Sequence, residues 1–186
     1  AEKIQGLQRI LMVSCRLIME RQKSLLRSPR FHRTVFVLCC QILLKSAKQL
    51  GYIQSTLQDK ISTTRVLIAG CGIGSQVAEA ATRMGFQNFI LVDADKIDSH
   101  NLNRQSFYFN QIGHFKVDAL KENILRINPE ANVVTCKDLI SSQNVKQLIS
   151  ESDLVFDTID FLDLKGIVAL HDEAHLQKKF LISSFA

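Results

Sequence analysis

The sequence predicts an α/β protein in which a doubly wound, mostly parallel sheet carries helices on both faces and follows a helical N-terminal extension. Two observations predict the sheet: short apolar segments alternate with amphipathic segments after residue 60, and the first apolar segment runs into a glycine-rich turn. Strands that are apolar along their whole length are typical of parallel sheets covered on both faces. A third observation predicts the extension, because residues 1–50 hold ten Lys or Arg side chains and only two acidic ones.

The individual elements follow from hydrophobic periodicity, taken from the N-terminus onward. Residues 1–57 form the predicted basic extension, in which apolar residues recur at helical spacing on either side of a break at Pro29. Residues 58–186 form the predicted α/β domain, with strands at 65–70, 88–93, 132–136, 153–158 and 179–184. Its helices are predicted at 75–85, 116–128, 143–151 and 162–178.

The composition argues against several classes of protein. With 186 residues and 46% apolar composition, the chain can bury a hydrophobic core. The longest apolar run, residues 35–44, is too short to cross a bilayer, and no signal peptide is recognisable, so we expect no membrane span and a cytoplasmic protein. The five cysteines include no CxxC pair, which favours reduced thiols over a zinc site.

A glycine-rich turn follows the first predicted strand and opens the first predicted helix. Gly70, Gly72 and Gly74 in "AGCGIGSQ" allow a phosphate to approach the backbone, and the helix N-terminus supplies free N–H groups. Asp93 ends the next strand about twenty residues later, where an acid binds ribose hydroxyls in Rossmann-like proteins. The pattern indicates a nucleotide-binding site, and glycines that serve only a tight turn are the alternative.

A polar loop, residues 99–105, follows Asp93 and reads "SHNLNRQ". Together with its surroundings it resembles the ubiquitin-activating-enzyme-like adenylyltransferases of the ThiF/MoeB/HesA type. The resemblance rests on "LVDADKIDSHNLNRQ", "IGHFK", "RINP" and "DTIDF", in that order, and covers about residues 58–186. For the loop alone, a polar turn whose amides satisfy their own backbone is the alternative.

The resemblance implies ATP-dependent adenylation of the C-terminal carboxylate of a ubiquitin-like or sulfur-carrier protein, or of a peptide, with release of pyrophosphate. It also implies that Asp93 binds the ribose, that Asn101, Arg104 and Lys116 contact the phosphates, and that Asp160 binds Mg²⁺, which prefers oxygen ligands. Such a reaction needs cations, because it joins two anions and releases a third. The catalytic residues implied are Arg104, Lys116 and Asp160, and the nucleotide-binding residues implied are Gly70, Gly72, Gly74, Asp93, Asn101, Arg104 and Lys116.

Several features depart from the family pattern. The glycine loop "GCGIGS" is one residue shorter than the family's "GxGGxGS". Phe161 stands where the family has Asn, and Lys165 where it has Arg, which concerns the substrate side of the site. The family's upstream "RYxRQ" segment, whose arginine reaches a partner's site, has no counterpart, and Arg30 and Arg33 are the candidate replacements. Relatives continue beyond the point where this sequence ends, so we expect a fragment, a split subunit or a reduced form that lacks the family's C-terminal half.

Two other functions stay open on the sequence alone. A non-catalytic nucleotide-binding subunit would complete a partner's site, but it would have little need of both Arg104 and Lys116. A nicotinamide-dependent oxidoreductase would share the glycine loop and Asp93 but would explain neither of those cations. For the extension we expect contact with another subunit, in a homo-oligomer or heterodimer, rather than with nucleic acid, because its apolar faces are wide.

Several other residues are given structural interpretations. Asp95 and Asp98 are interpreted as loop-solvating or helix-capping residues. His171 and His175 lie one turn apart on a predicted helix, but "HDEAH" offers no third ligand, so we expect no metal there. None of the five cysteines is expected to act as a transfer thiol.

Overall fold

A computed structural model gives the structure of the chain and describes residues 54–183. The chain divides into two compact units, Ala1–Gly51 and Tyr52–Ala186. The first unit, with the predicted basic helices, lies outside the described residues, so that part of the fold stays a prediction. The predicted domain boundary between residues 57 and 58 also stays a prediction.

A five-stranded parallel sheet forms the centre of the α/β domain and confirms the predicted fold class. Its strands are β1 (Arg65–Ala69), β2 (Asn88–Val92), β3 (Asn132–Cys136), β4 (Leu154–Asp157) and β5 (Phe180–Ser183). Their order across the sheet is β3-β2-β1-β4-β5, and each pairing is parallel. Because the strand order reverses direction at β1, a crevice is expected between β1 and β4 at the carboxyl ends of the strands.

Helices connect the strands and cover both faces of the sheet. α1 (Ser55–Thr63) precedes β1, and α2 (Gly74–Met84), α3 (Lys116–Ile127), α4 (Val145–Ser150) and α5 (Leu164–Leu176) follow β1 to β4 in turn. Two short 3-10 helices, Ser99–Asn103 and Phe109–Gln111, lie between β2 and α3. Within residues 54–183, no helix is long and apolar enough to span a membrane.

Successive side chains of β1 point to opposite faces of the sheet and pack in two separate hydrophobic cores. Val66 and Ile68 pack with residues of α2 and α3 on one face, whereas Leu67 and Ala69 pack with residues of α4 and α5 on the other. All four side chains are fully buried. The unbroken apolar run in this strand is therefore what a central parallel strand requires.

The helices on the α4–α5 face are shorter than the sequence predicts. α4 begins later because the Asn144 side chain bonds two backbone groups that precede it and holds them in a loop. α5 begins later because the Asp163 carboxylate accepts the N–H of Gly166 and caps the helix. α1 is absent from the predicted elements because it buries no residue, so no apolar periodicity marks it.

Gly70 and Gly74 allow the turn after β1 to touch the segment that follows β4. Gly70 has a φ of +88°, and a Cβ atom there would overlap the carbonyl group of Thr158. A Cβ atom on Gly74 would lie 2.5 Å from Thr158 Oγ1 and 2.6 Å from Ile68 Cγ2. These two glycines therefore serve a tight turn and the close packing of α2 against the sheet.

Replacing Gly70 with alanine is expected to destabilise the domain by at least about 2 kcal/mol, since it adds a steric overlap to the strain of a positive φ. Gly113→Ala is the matched control, because Gly113 has a φ of +85° but open space around an added Cβ. That control should lose only about 1 kcal/mol, from backbone strain. Urea unfolding of both variants measures the difference, and equal losses would contradict the predicted overlap.

Candidate active site

A cavity of about 470 Å³ lies at the carboxyl edge of the sheet, where the strand order reverses. Ala69 at the end of β1 pairs with Val92 on one side and with Asp157 on the other, so the ends of three strands lie at one level. This carboxyl-edge cavity is lined by most of the predicted site residues: Gly70, Gly72, Asp93, Asn101, Arg104, Lys116 and Asp160.

Asp93 follows β2, and two backbone groups hold its carboxylate. Oδ2 accepts the N–H of Cys71 at 2.7 Å, and Oδ1 accepts the N–H of Asp95 at 2.8 Å. Burial raises the pKa of this carboxyl group above its ordinary value, and the nearby Lys116 ammonium opposes that rise. Because a carboxylate oxygen can accept more than one hydrogen bond, both oxygens keep capacity for a hydroxyl donor.

Lys116 opens α3 and is held in place by Asp95. Its ammonium nitrogen lies 2.7 Å from Asp95 Oδ2, and its backbone N–H donates to the Asp95 carbonyl oxygen at 2.9 Å. The Lys116 side chain is only 8% exposed, whereas that of Asp95 is 67% exposed. Asp95 is therefore a solvated loop residue, as the sequence suggests, whose carboxylate also pairs with the Lys116 ammonium.

The first half of the polar loop is a 3-10 turn held by its own side chains. Asp98 caps the turn by accepting the N–H of Ser99, and Asn101 Oδ1 accepts the N–H of Asp98 at 2.8 Å. The interpretation of Asp98 as a capping residue is confirmed. Asn101 is buried and its oxygen is used within this capping box, so the Nδ2 group is what it can offer to the cavity.

Arg104 follows this turn with part of its guanidinium group unpaired. Its Nη1 donates to the His100 carbonyl oxygen at 3.2 Å and to Asn103 Oδ1 at 3.1 Å. Neither Nε nor Nη2 has a hydrogen-bond partner among residues 54–183, and the residue is exposed. Gln76 of α2 donates to the Arg104 carbonyl oxygen at 2.7 Å, which ties the loop to the start of that helix. The free donors can therefore bind an anion in the cavity.

Gln105 is a cavity residue to which the sequence analysis gives no role. Its Oε1 atom is buried and has no hydrogen-bond partner within the described part of the chain. A Cβ atom on Gly72 would lie 3.2 Å from Gln105 Nε2, so the glycine leaves room for this amide beside the glycine loop. An unpaired buried acceptor costs about 1–3 kcal/mol, which a ligand donor would offset if the amide rotated toward the cavity. The site therefore fits a polar ligand such as a nucleotide.

Asp160 lines the cavity and has one carboxylate oxygen without a partner among the described residues. Oδ1 accepts the Leu162 N–H at 3.0 Å, whereas Oδ2 has no partner in the described ranges. Residues 54–183 contain no cluster of three His, Cys, Asp or Glu side chains that could hold a metal, and His171 is instead paired with Asp157. Mg²⁺ keeps several waters and binds through one or two carboxylates plus phosphates. Asp160 therefore fits an ion that arrives with a phosphate.

The cavity differs from the predicted site at one glycine and at the end of β3. Gly74 lies away from the cavity, because it packs against Thr158 and Ile68. Leu139 and Ile140 follow β3 and line the cavity, where they form an apolar wall that the sequence analysis misses. Their position is the signal that could have found them, since residues after the carboxyl ends of parallel strands gather at one edge.

Two cysteines fall within the described residues, and both are poor nucleophiles. Burial raises the pKa of the Cys71 thiol well above its ordinary value, and the nearby Asp93 carboxylate adds to the rise. Burial also raises the pKa of the Cys136 thiol. Because the thiolate is the reactive form, neither is suited to acyl transfer. The other three, Cys15, Cys39 and Cys40, lie outside the described residues.

The chain is similar in sequence and in structure to several known enzymes. The chain is 38% identical over 108 residues to tRNA threonylcarbamoyladenosine dehydratase of Bacillus subtilis. The aligned segment is 57% of this chain and 42% of that protein. The chain is 36% identical over 110 residues to SUMO-activating enzyme subunit 2 of Dictyostelium discoideum, and the aligned segment is 58% of this chain and 16% of that protein. The E. coli tRNA N6-threonylcarbamoyladenosine dehydratase, solved in complex with ATP, has a TM-score of 0.72 at 26% identity and covers 76% of this chain and 58% of that one.

The fold and the cavity define a Rossmann-like nucleotide-binding domain. The sequence profile of the ThiF family matches residues 45–186. This chain belongs to the ThiF family, so the resemblance to ubiquitin-activating-enzyme-like adenylyltransferases is confirmed. It spans less than two thirds of the length of each of the three relatives compared above.

Asp95→Ala is expected to lower the free energy of unfolding by about 1–3 kcal/mol, because it leaves a nearly buried ammonium group without its partner. Adding Lys116→Met should recover part of the loss, since it removes the ammonium that lost its partner but also removes a cation that stabilises the Asp93 carboxylate. Asp118→Ala is the matched control: Asp118 lies 2.8 Å from Lys137, but the two side chains are 45% and 47% exposed.

Surface pairs of that kind contribute about 0–1 kcal/mol, so the control should lose little stability. Urea unfolding of the three variants provides the comparison. If Asp95→Ala and Asp118→Ala lost the same stability, Lys116 would not depend on Asp95.

Proposed function

We propose that this chain uses ATP and Mg²⁺ to adenylate the C-terminal carboxylate of a ubiquitin-like or sulfur-carrier protein, or of a peptide, and that it releases pyrophosphate. One observation carries the proposal: Asp93, Arg104, Lys116 and Asp160 line a single cavity. The cavity therefore offers a carboxylate for the ribose, two cations for the phosphates and an oxygen ligand for Mg²⁺. Solved complexes of the E. coli dehydratase with ATP and with AMP support ATP as the nucleotide.

The charges of the cavity suit the chemistry of adenylation. A carboxylate oxygen of the acceptor attacks the α-phosphorus of ATP, the bond from that phosphorus to the bridging oxygen breaks, and pyrophosphate leaves with the electron pair. Both reacting groups are anions, so cations must hold them together and stabilise the leaving group. Arg104 offers Nε and Nη2, and Lys116 offers its ammonium group.

The remaining cavity residues suit the other parts of the nucleotide. The two Asp93 oxygens can accept the ribose hydroxyls while they keep their bonds to the backbone. Leu139 and Ile140 offer an apolar wall to the base. Mg²⁺, when bound with the triphosphate, neutralises charge on the leaving group, and Asp160 is the residue proposed to hold it.

The charge of the described residues favours a protein or peptide acceptor over an RNA acceptor. Residues 54–183 carry thirteen Lys or Arg side chains and sixteen Asp or Glu side chains. Affinity for RNA comes largely from phosphate contacts with basic groups, and the basic excess of this chain lies in residues 1–50 rather than in the domain that carries the cavity. The names of the relatives include a dehydratase of tRNA and a SUMO-activating subunit, and this charge balance supports the second type of acceptor. The SUMO-activating relative is one subunit of a larger enzyme, which supports assembly of this chain with another subunit.

The two alternatives explain fewer of the contacts. An oxidoreductase would use the glycine loop and Asp93, but it would leave the free donors of Arg104 without a ligand. A non-catalytic subunit would need neither the buried Lys116 ammonium nor the free Asp160 oxygen. Adenylation gives a role to each of these groups.

ATP with Mg²⁺ is expected to bind more tightly than NAD, because a triphosphate can use Arg104, Lys116 and a metal on Asp160 together. A dinucleotide would use mainly the glycine loop. Isothermal titration calorimetry of the full chain with each ligand measures both affinities. Equal or tighter binding of NAD would overturn the adenylation proposal.

Arg104→Ala and Asp160→Ala are each expected to reduce ATP–pyrophosphate exchange by on the order of a hundredfold, the scale for removing one preorganised charge from a transition state. Arg83→Ala is the control, since Arg83 pairs with Glu79 on α2 and does not line the cavity. Exchange is measured with candidate acceptors, each paired with a form whose C-terminal carboxylate is amidated.

The amidated forms should support no exchange, because they lack the attacking oxygen. Exchange that survives in both variants at the wild-type rate would show that the site residues are assigned wrongly. Exchange that is equally strong with the amidated forms would exclude the C-terminal carboxylate as the reacting group.

A further inference from the structure

A buried carboxylate behind the cavity is held by two side chains that adenylation does not use. Asp157 ends β4, and its side chain is only 3% exposed. His171 Nε2 of α5 lies 2.7 Å from Asp157 Oδ2, and the Ser183 hydroxyl of β5 donates to the same oxygen at 3.0 Å. The His171 side chain is 39% exposed, so it reaches from solvent to this buried acid. None of the three lines the carboxyl-edge cavity.

Hydrogen bonds connect this cluster to the residues that carry Asp160. Asp157 Oδ1 accepts the N–H of Ile159 at 3.2 Å, so the same carboxylate that binds His171 also fixes the turn after β4. Thr158, which lies between Asp157 and Ile159 in the sequence, donates its N–H to the Ala69 carbonyl oxygen at 2.9 Å. Asp160 follows Ile159 and lines the cavity from this turn, and its Oδ2 has no partner among residues 54–183.

We propose that His171 is a positioning residue for the Mg²⁺ side of the site, acting through Asp157 and the Ile159 N–H on the orientation of Asp160. This inference rests on the proposed function, because it assumes that Asp160 holds Mg²⁺ bound with ATP. His171 touches neither the nucleotide nor the metal. Its contribution is to keep the Asp157 carboxylate in the one orientation that bonds both α5 and the turn.

The physical reason is the small number of donors around a buried carboxylate. Without His171, Ser183 is the one donor left to Asp157 Oδ2 among residues 54–183, and a carboxylate with too few donors turns toward other donors or water. Any such turn moves Oδ1 away from the Ile159 N–H and loosens the residues that carry Asp160. Groups that orient a metal-binding residue from behind typically change metal affinity by about 10–100-fold when they are removed.

The test compares His171→Leu, which removes the donor, with His171→Gln, whose side-chain amide can restore it. His175→Leu is the matched control, because His175 lies one turn further along the same helix and is exposed. Asp160→Asn reports the full loss of the metal ligand. Calorimetry of the full chain measures the affinity for ATP with Mg²⁺ and for ATP with EDTA, and thermal unfolding measures stability.

In His171→Leu, the gain in ATP affinity that Mg²⁺ provides is expected to fall about tenfold, while affinity in EDTA stays at the wild-type value. His171→Gln should restore most of the gain, and His175→Leu should keep all of it. If His171→Leu does not fold, Ser183→Ala removes the other donor to the same oxygen and should lower the gain in the same direction by a smaller factor.

The outcomes separate this inference from the function on which it rests. A wild-type chain whose ATP affinity does not respond to Mg²⁺ would overturn the proposed metal role of Asp160 and this inference with it. A response that Asp160→Asn abolishes but His171→Leu and Ser183→Ala leave intact would overturn the inference alone. Equal loss of affinity with Mg²⁺ and with EDTA in His171→Leu would also overturn it, since a general distortion of the cavity would then explain the effect.

Discussion

The contact between Thr158 and the turn after β1 positions most of the carboxyl-edge cavity. The Thr158 hydroxyl donates to the Gly70 carbonyl oxygen at 2.6 Å and lies 3.0 Å from that of Ala69. This approach is possible because Gly70 and Gly74 lack side chains that would occupy the same space. The glycine loop lies on one side of the contact and Asp160 on the other, so one set of bonds fixes both the proposed phosphate-binding turn and the proposed metal ligand.

A second constraint is electrostatic and involves Asp93, Asp95 and Lys116. Burial raises the pKa of Asp93, so folding favours its protonated form, and the free energy of unfolding decreases as the pH rises through that pKa. Two backbone donors and the Lys116 ammonium limit this cost. Asp95 in turn partners Lys116 from the exposed side. An entering phosphate would therefore meet a cation already held in the cavity, and it would compete with Asp95 for that cation.

The sheet and the backbone of the site could be predicted from the sequence because each depends on a local pattern. Apolar strands, the glycine turn and an acid at a strand end are all visible within a few residues. The roles of Asp95, Gln105 and His171 could not be predicted, because their contacts depend on tertiary structure: Asp95 is 21 residues from Lys116, and His171 is 14 from Asp157. Sequence reasoning therefore found the residues that line the cavity better than those that support them.

The polar loop shows why a sequence motif locates a binding site more reliably than it assigns a role to each of its residues. Much of its hydrogen-bonding capacity is used within the loop: Asn101 Oδ1 bonds the Asp98 N–H, and Arg104 Nη1 bonds Asn103 and a carbonyl oxygen. What remains for a ligand is the Asn101 amide nitrogen and two donor atoms of Arg104, together with the unpaired Gln105 oxygen once its amide rotates toward the cavity. An anion site gains affinity when its donors are fixed before the ligand arrives, because less order is lost on binding. Part of the polar capacity of such a loop must therefore hold the rest in place, and only a structure separates the two parts.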